Sequence, residues 1–135
     1  MNLRRFKPWF YAAAVYNLVW GTTFVLAPGP VVRTLGAAHP DLTAWRVVGM
    51  LVLVYAPAYW WAARNPSQHA HLIAIATLGK ILGPLGFAWA AASGALPFRF
   101  GLTIVTNDLI WLPAFVAYLR VASRRDGLRH FLLAA

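Results

Sequence analysis

The run LIAIATLGKILGPLGFAWAAA, residues 72–92, decides the fold, because a single lysine, Lys80, interrupts an otherwise uncharged stretch. At about 1.5 Å per residue, a helix of this length covers a hydrocarbon core of about 30 Å. An ammonium in such a span costs about 2.5–3.5 kcal/mol on insertion scales, so it is expected to face the inside of a helix bundle and find a partner there. Gly79, Gly83 and Gly86 recur at helical spacing beside it, small enough to let another helix come close. Pro84 has no N–H, and the carbonyl it leaves unpaired, four residues back, is that of Lys80 itself. Gly79, Gly83, Pro84 and Gly86 are therefore expected to be helix-packing positions next to the lysine.

The composition agrees with a membrane reading. The 135 residues are 61% hydrophobic and 11% charged, with a mean hydropathy of +0.61, whereas soluble chains carry roughly a quarter charged residues. The net charge of +9 does not point to nucleic acid. The basic residues gather at the termini and short connections, where they orient spans, and not along one face that could follow a phosphate backbone. There are no cysteines, which excludes disulfides, thiol peroxidase chemistry and thiolate-held metals or clusters.

Working outward, the sequence predicts one membrane domain over 1–135, with helices at about 9–27, 42–63, 69–93 and 100–121 and a basic tail at 122–135. Arg4, Arg5 and Lys7 followed by an uncharged stretch have the layout of a signal peptide. The stretch is longer than such a region, however, and Pro28 follows the small-residue site, so an uncleaved span is expected. Pro28-Gly29-Pro30 ends the first helix, the connection to Thr43 has room for a short interfacial helix, and Asp41 is placed to cap the second span. Trp9, Trp45, Trp60 and Trp61 read as interfacial anchors.

Arg4, Arg5, Lys7, Arg64, Arg120, Arg124, Arg125 and Arg129 fall on the side holding both termini, against Arg33, Arg46 and Arg99 on the other. That asymmetry predicts cytoplasmic termini. The expected fold is thus an all-α transmembrane four-helix bundle, with anionic lipids at the basic termini and no nucleic acid. Room is left for a larger membrane complex or a homo-oligomer.

Asp108 is the only acidic residue inside any predicted span and the natural partner for Lys80. If the last two helices form a hairpin turning near Pro97, the two residues lie about 9 Å apart along the axis. An extended lysine stem covers most of that distance. The spacing fits a stretched ion pair or an intervening water or ligand. Asn107 and Trp111 lie beside Asp108, and Pro113 frees the carbonyl of Leu109; Asn17 on the first helix and Tyr55 and Tyr59 on the second sit at similar depth.

The polar site read from the sequence is therefore Lys80, Asp108, Asn107, Asn17, Tyr55, Tyr59 and Trp111. It serves either to hold the helices in register or to line a pocket or proton path. His39, His69, His71 and His130 do not converge, and no metal, cofactor or catalytic set is expected. An accessory, assembly or small-amphiphile-binding protein, for example one taking a quinone, is preferred. A proton-coupled transporter using Lys80 and Asp108, or a membrane enzyme acting on lipid or quinone, stands as the alternative.

Five stretches carry a resemblance: YNLVWG from Tyr16, VGM from Val48, AARNP from Ala62, LGKILGPLGF from Leu78 and TNDLIW from Thr106. Together they resemble a family of small bacterial four-span membrane proteins of unassigned function, over about Tyr11 to Arg120. The hydropathy layout is also similar to DoxX-like four-helix membrane proteins, some of which are accessory subunits of quinone-linked oxidases. Both resemblances imply a bacterial inner-membrane location; neither supplies site residues.

Overall fold

The computed structural model describes residues 2–133, with the side chains of residues 2–127. Of the predicted basic tail, the side chains of residues 128–135, Arg129 among them, lie outside the described ones. Among the described residues the structure is all-helical, without a strand. After a 3-10 turn at Leu3–Phe6 come α1 (Lys7–Leu26), α2 (Pro28–Thr34), α3 (Leu42–Arg64) and α4 (Ala70–Ala92). A second 3-10 turn, Phe98–Phe100, leads into α5 (Gly101–Ile104), a π-helical segment at Val105–Leu109, and α6 (Leu112–Leu133).

The breaks follow from the sequence. Ala27 precedes a proline, which disfavours helical backbone at that position, and it sits at φ −141° and ψ 62°. The chain bends there by 98°. Pro28 then opens α2, where its missing N–H does no harm. Asp41 caps α3 through its carboxylate, which accepts from the backbone N–H groups of Thr43 at 2.9 Å and Ala44 at 3.1 Å. Gly94, at φ 74°, turns the chain after α4 in a conformation that other residues rarely adopt.

Three helical runs are long and apolar enough to cross a membrane: Leu42–Arg64, Ala70–Ala92 and Phe98–Gly127. The bent pair Leu3–Leu26 and Pro28–Thr34 makes a fourth when counted as one span. Large apolar side chains point outward along these runs, with Leu26 at 73% and Trp89 at 80% exposure. Water-facing surfaces seldom carry so much contiguous apolar area, whereas a bilayer accepts it.

The last run differs from the single helix expected over 100–121. Ile110 N–H bonds the Val105 carbonyl five residues back at 3.1 Å, and Pro113, two residues into α6, has no N–H to offer. The turn widens at Asn107 and Asp108, as π-helical insertions do, frequently at functional sites.

Two aromatic clusters divide the interior. One joins α1, α3 and α6 through edge-to-face contacts, with Phe10 and Tyr118 at 4.9 Å, Phe10 and Phe115 at 5.6 Å, and Tyr59 and Phe115 at 5.3 Å. The Tyr118 hydroxyl donates to the Pro66 carbonyl, tying the α3–α4 turn to α6 at the end where the N-terminal turn also packs. The other cluster is at the opposite end, where Trp20 stacks on Phe24 at 3.9 Å and Trp45 on Phe100 at 4.9 Å. Trp45 therefore lies half-buried inside this end rather than acting as a surface anchor. Trp9, Trp60 and Trp61 remain exposed.

Candidate functional site

Lys80 and Asp108 meet between the two clusters. They are 4% and 5% exposed, with Nζ at 3.7 Å from Oδ1. The predicted axial offset is bridged directly: the lysine stem reaches from α4 to the π segment, and its ammonium also donates to the Asn107 carbonyl. The broadened turn explains why backbone oxygens are accessible there. The Thr106 carbonyl accepts the Trp111 indole N–H at 2.8 Å, while the next carbonyl takes the lysine.

Two rings complete the ammonium's surroundings, Tyr59 and Phe115, each with its centroid 5.7 Å from Nζ. Both distances are within the range over which a cation is attracted to a ring face. Phe115 was not among the residues predicted from the sequence, although it lies seven residues, about two turns, after Asp108 and so on the same side of a helix.

Beside this pair lies a cavity of about 450 Å³. Trp20, Trp45, Phe87, Leu96 and Phe100 line one end, Tyr55, Tyr59 and Ala76 the other, and Lys80, Asp108, Asn107, Thr103 and Asn17 its polar side. Its volume falls within the range of small-molecule sites, which are mostly apolar with a few placed polar groups. Leu51 of α3 and Gly79 and Gly86 of α4 are lining residues that are also exposed. The cavity thus opens between α3 and α4, on the outward apolar surface.

This changes the reading of the glycine stripe. A Cβ at Gly86 would have nothing within 4 Å, and one at Gly79 would meet only the Tyr55 hydroxyl, at 3.9 Å. These two glycines do not receive a neighbouring helix; they keep the cavity and its mouth empty. Gly83 is close to the acid, since a Cβ there would fall 2.6 Å from Asp108 Oδ2. Its lack of a side chain makes room for the carboxylate. Pro84 does not line the cavity, which on α4 is bordered by Ala76, Gly79, Lys80, Gly83, Gly86 and Phe87.

Close helix packing occurs instead between Gly21 and Gly49. A Cβ on Gly21 would come within 2.9 Å of the Gly49 carbonyl, and one on Gly49 within 2.9 Å of the Val25 nitrogen.

The other predicted residues divide. Asn17 is buried, donates to the Val52 carbonyl at 3.0 Å and lines the cavity, as do Asn107, Tyr55 and Tyr59. Trp111 is turned away from it, edge-on to Trp9 at 6.3 Å and tilted against Tyr16 at 5.6 Å. The Tyr16 hydroxyl donates to Thr106 at 2.8 Å. Among the described residues, no group of three His, Cys, Asp or Glu side chains could hold a metal ion. Comparison with protein-family profiles, curated proteins and solved structures finds no match for this chain.

Proposed function

We propose that this chain is a membrane protein that binds a small amphiphile, such as a quinone, in the cavity beside Lys80 and Asp108. It would act as an accessory or assembly protein rather than as an enzyme. One observation carries this reading: a space of about 450 Å³, apolar and aromatic over most of its lining, open between α3 and α4 and closed at its inner side by a buried ion pair. A tail lying among lipid chains would enter through that mouth, and its polar head would meet the charged side.

The same reading makes the four long helical runs a transmembrane bundle in a bacterial inner membrane. Its termini would be cytoplasmic, following the basic asymmetry of the sequence. The likeness of its hydropathy layout to that of DoxX-like four-helix membrane proteins, and the resemblance to four-span bacterial proteins of unassigned function, support that placement. Anionic lipids would gather at the basic ends, each lysine or arginine contributing about 1 kcal/mol near the surface.

Extraction in mild detergent, with mass spectrometry of what remains bound, tests the proposal. The parent protein should retain an amphiphile that Gly86→Leu, which fills the mouth, does not. Identical bound lipid in identical amount from both proteins would overturn it.

A further inference from the structure

The chain has only three acidic side chains, and all three are committed. Asp108 faces Lys80 at 3.7 Å, Asp126 holds Arg125 through contacts of 2.6 and 3.0 Å, and Asp41 caps α3 at the end far from Arg64. No carboxylate side chain is left for Arg4, Lys7 or Arg64. Yet these three cations, with Arg125 beside them, line one polar cavity of about 310 Å³, where the N-terminal turn meets the α3–α4 turn. Asn65 and Ser67 of that turn add neutral polar groups. Like charges gathered around one space repel, so the pocket calls for an anion from outside the chain.

The backbone carrying the cations is held by the fold. Leu3 and Phe6, which flank Arg4 and Arg5 in the 3-10 turn, are buried, and Phe6 packs edge-on to Tyr118 at 5.5 Å. Asn2 Oδ1 accepts from the Arg4 N–H at 2.9 Å, and the Tyr118 hydroxyl donates to the Pro66 carbonyl, fixing the turn that follows Arg64. We propose that this pocket is a discrete site for one phosphate ester, a group whose oxygens suit convergent guanidinium and ammonium donors. The adjoining surface suits a phospholipid head. A second depression shares Arg64 and Asn65 and is walled by Trp60 and Trp61, both about half exposed, and indoles favour the head-group level of a bilayer. The phosphate would sit among the cations and the acyl chains along those rings, as anionic heads do in basic pockets beside spans. This site differs from a diffuse gathering of lipids at the basic ends, and it is independent of any occupant beside Lys80. Only the phospholipid source rests on the membrane placement proposed above.

Full-length protein in a mild nonionic detergent is titrated with phosphatidylglycerol, with diacylglycerol of the same chains, or with glycerol 1-phosphate, and bound ligand is counted by native mass spectrometry. Salt at about 0.15 M screens attraction beyond roughly 8 Å. One phosphatidylglycerol should bind, about tenfold or more tightly than diacylglycerol, and Arg64→Gln and Lys7→Gln should each weaken it about tenfold, the effect of a charge-assisted hydrogen bond. Arg46→Gln makes the same charge change about 27 Å away along α3 and should alter binding less than twofold. Glycerol 1-phosphate that fails to bind identifies the lipid as the source; glycerol 1-phosphate that competes one for one shows that the phosphate ester alone is recognised. Equal weakening by Arg46→Gln and Arg64→Gln reduces the pocket to diffuse attraction and overturns the proposal. So does equal binding of phosphatidylglycerol and diacylglycerol by the parent with no binding of glycerol 1-phosphate, a result that needs no variant to fold.

Discussion

Gly21 and Gly49 bring α1 and α3 together until a methyl group on either would strike backbone or Cβ atoms within 3 Å, while Gly79 and Gly86 on α4 face almost nothing within 4 Å. Both seams use the same helix, α3, and both carry glycines, one from each helix at the first seam and Gly79 and Gly86 of α4 at the second. The difference lies in what stands opposite. Across the first seam, Asn17 of α1 also donates to an α3 carbonyl, so packing and a hydrogen bond act together. Across the second, the α3 side presents Leu51, Val52 and Tyr55 around open space. There α4 is held from its other side, by Lys80 reaching to Asn107 and Asp108. A glycine stripe is thus permission for close approach, and the neighbouring helix decides whether the permission is used.

If α4 is held mainly through its polar anchor, the largest effect should come from cutting that anchor. Lys80→Met leaves Asp108 buried without its counter-charge, which for buried pairs costs about 3–5 kcal/mol. Unfolding in a detergent series should show that loss, and adding Asp108→Leu should recover most of it, because removing both charges leaves nothing unpaired. A single variant as stable as the parent would mean that water reaches the acid and that the two seams do not differ in how they are held.

Gly49→Ala addresses the closed seam. The added carbon would meet Phe24 Cβ at 2.8 Å and the Val25 nitrogen at 2.9 Å, and backbone cannot rotate out of the way as a side-chain tip can. Overpacking of this kind costs about 1–3 kcal/mol, only partly offset by the better helix propensity of alanine. The same detergent titration measures it. The contrast between the seams would break if Gly79→Ala proved equally destabilising.

Gly83→Ala probes the junction of the anchor and the open seam. Its Cβ would crowd Asp108 Oδ2 at 2.6 Å, but a carboxylate can swing by a bond rotation. We expect a net change within about 1 kcal/mol, crowding set against helix propensity. The carboxylate should be pushed off its position all the same, which would show as an altered isotope-edited infrared band for labelled Asp108.

Much of this arrangement was legible before any coordinates, and for identifiable reasons. Prolines and glycines at 28–30, 66, 94 and 97 mark the breaks, and apolar runs between them mark the long helices. Lys80, Asp108 and Asn17 stand out because polar groups in apolar runs need partners, so their convergence on one layer follows from hydration alone. The π segment at Val105–Leu109 was not legible, since those residue types suit an α-helix equally well. In the structure it is marked by the backbone N–H of Ile110 reaching five residues back to the Val105 carbonyl. Trp45 reads as a boundary residue by type, yet it stacks on Phe100 within the fold. The cavity could not be read either, because it depends on the volumes that three other helices leave opposite the glycines.

Gly86→Leu is the smallest change in stability and the sharpest test of the comparison. With nothing within 4 Å of a Cβ, the leucine branch can extend into the mouth without displacing a neighbour, and it replaces the residue that least favours helix after proline. Stability should stay within about 0.5 kcal/mol of the parent, as for substitutions away from packed or paired groups. Ligand capacity should nevertheless fall sharply, because a leucine side chain would occupy space at the entrance to a cavity of about 450 Å³. A stable variant that no longer loads amphiphile would show that the second seam is kept open for an occupant. A variant destabilised as much as Gly49→Ala would instead mean that this seam closes in the membrane, against α3 or against another copy of the chain.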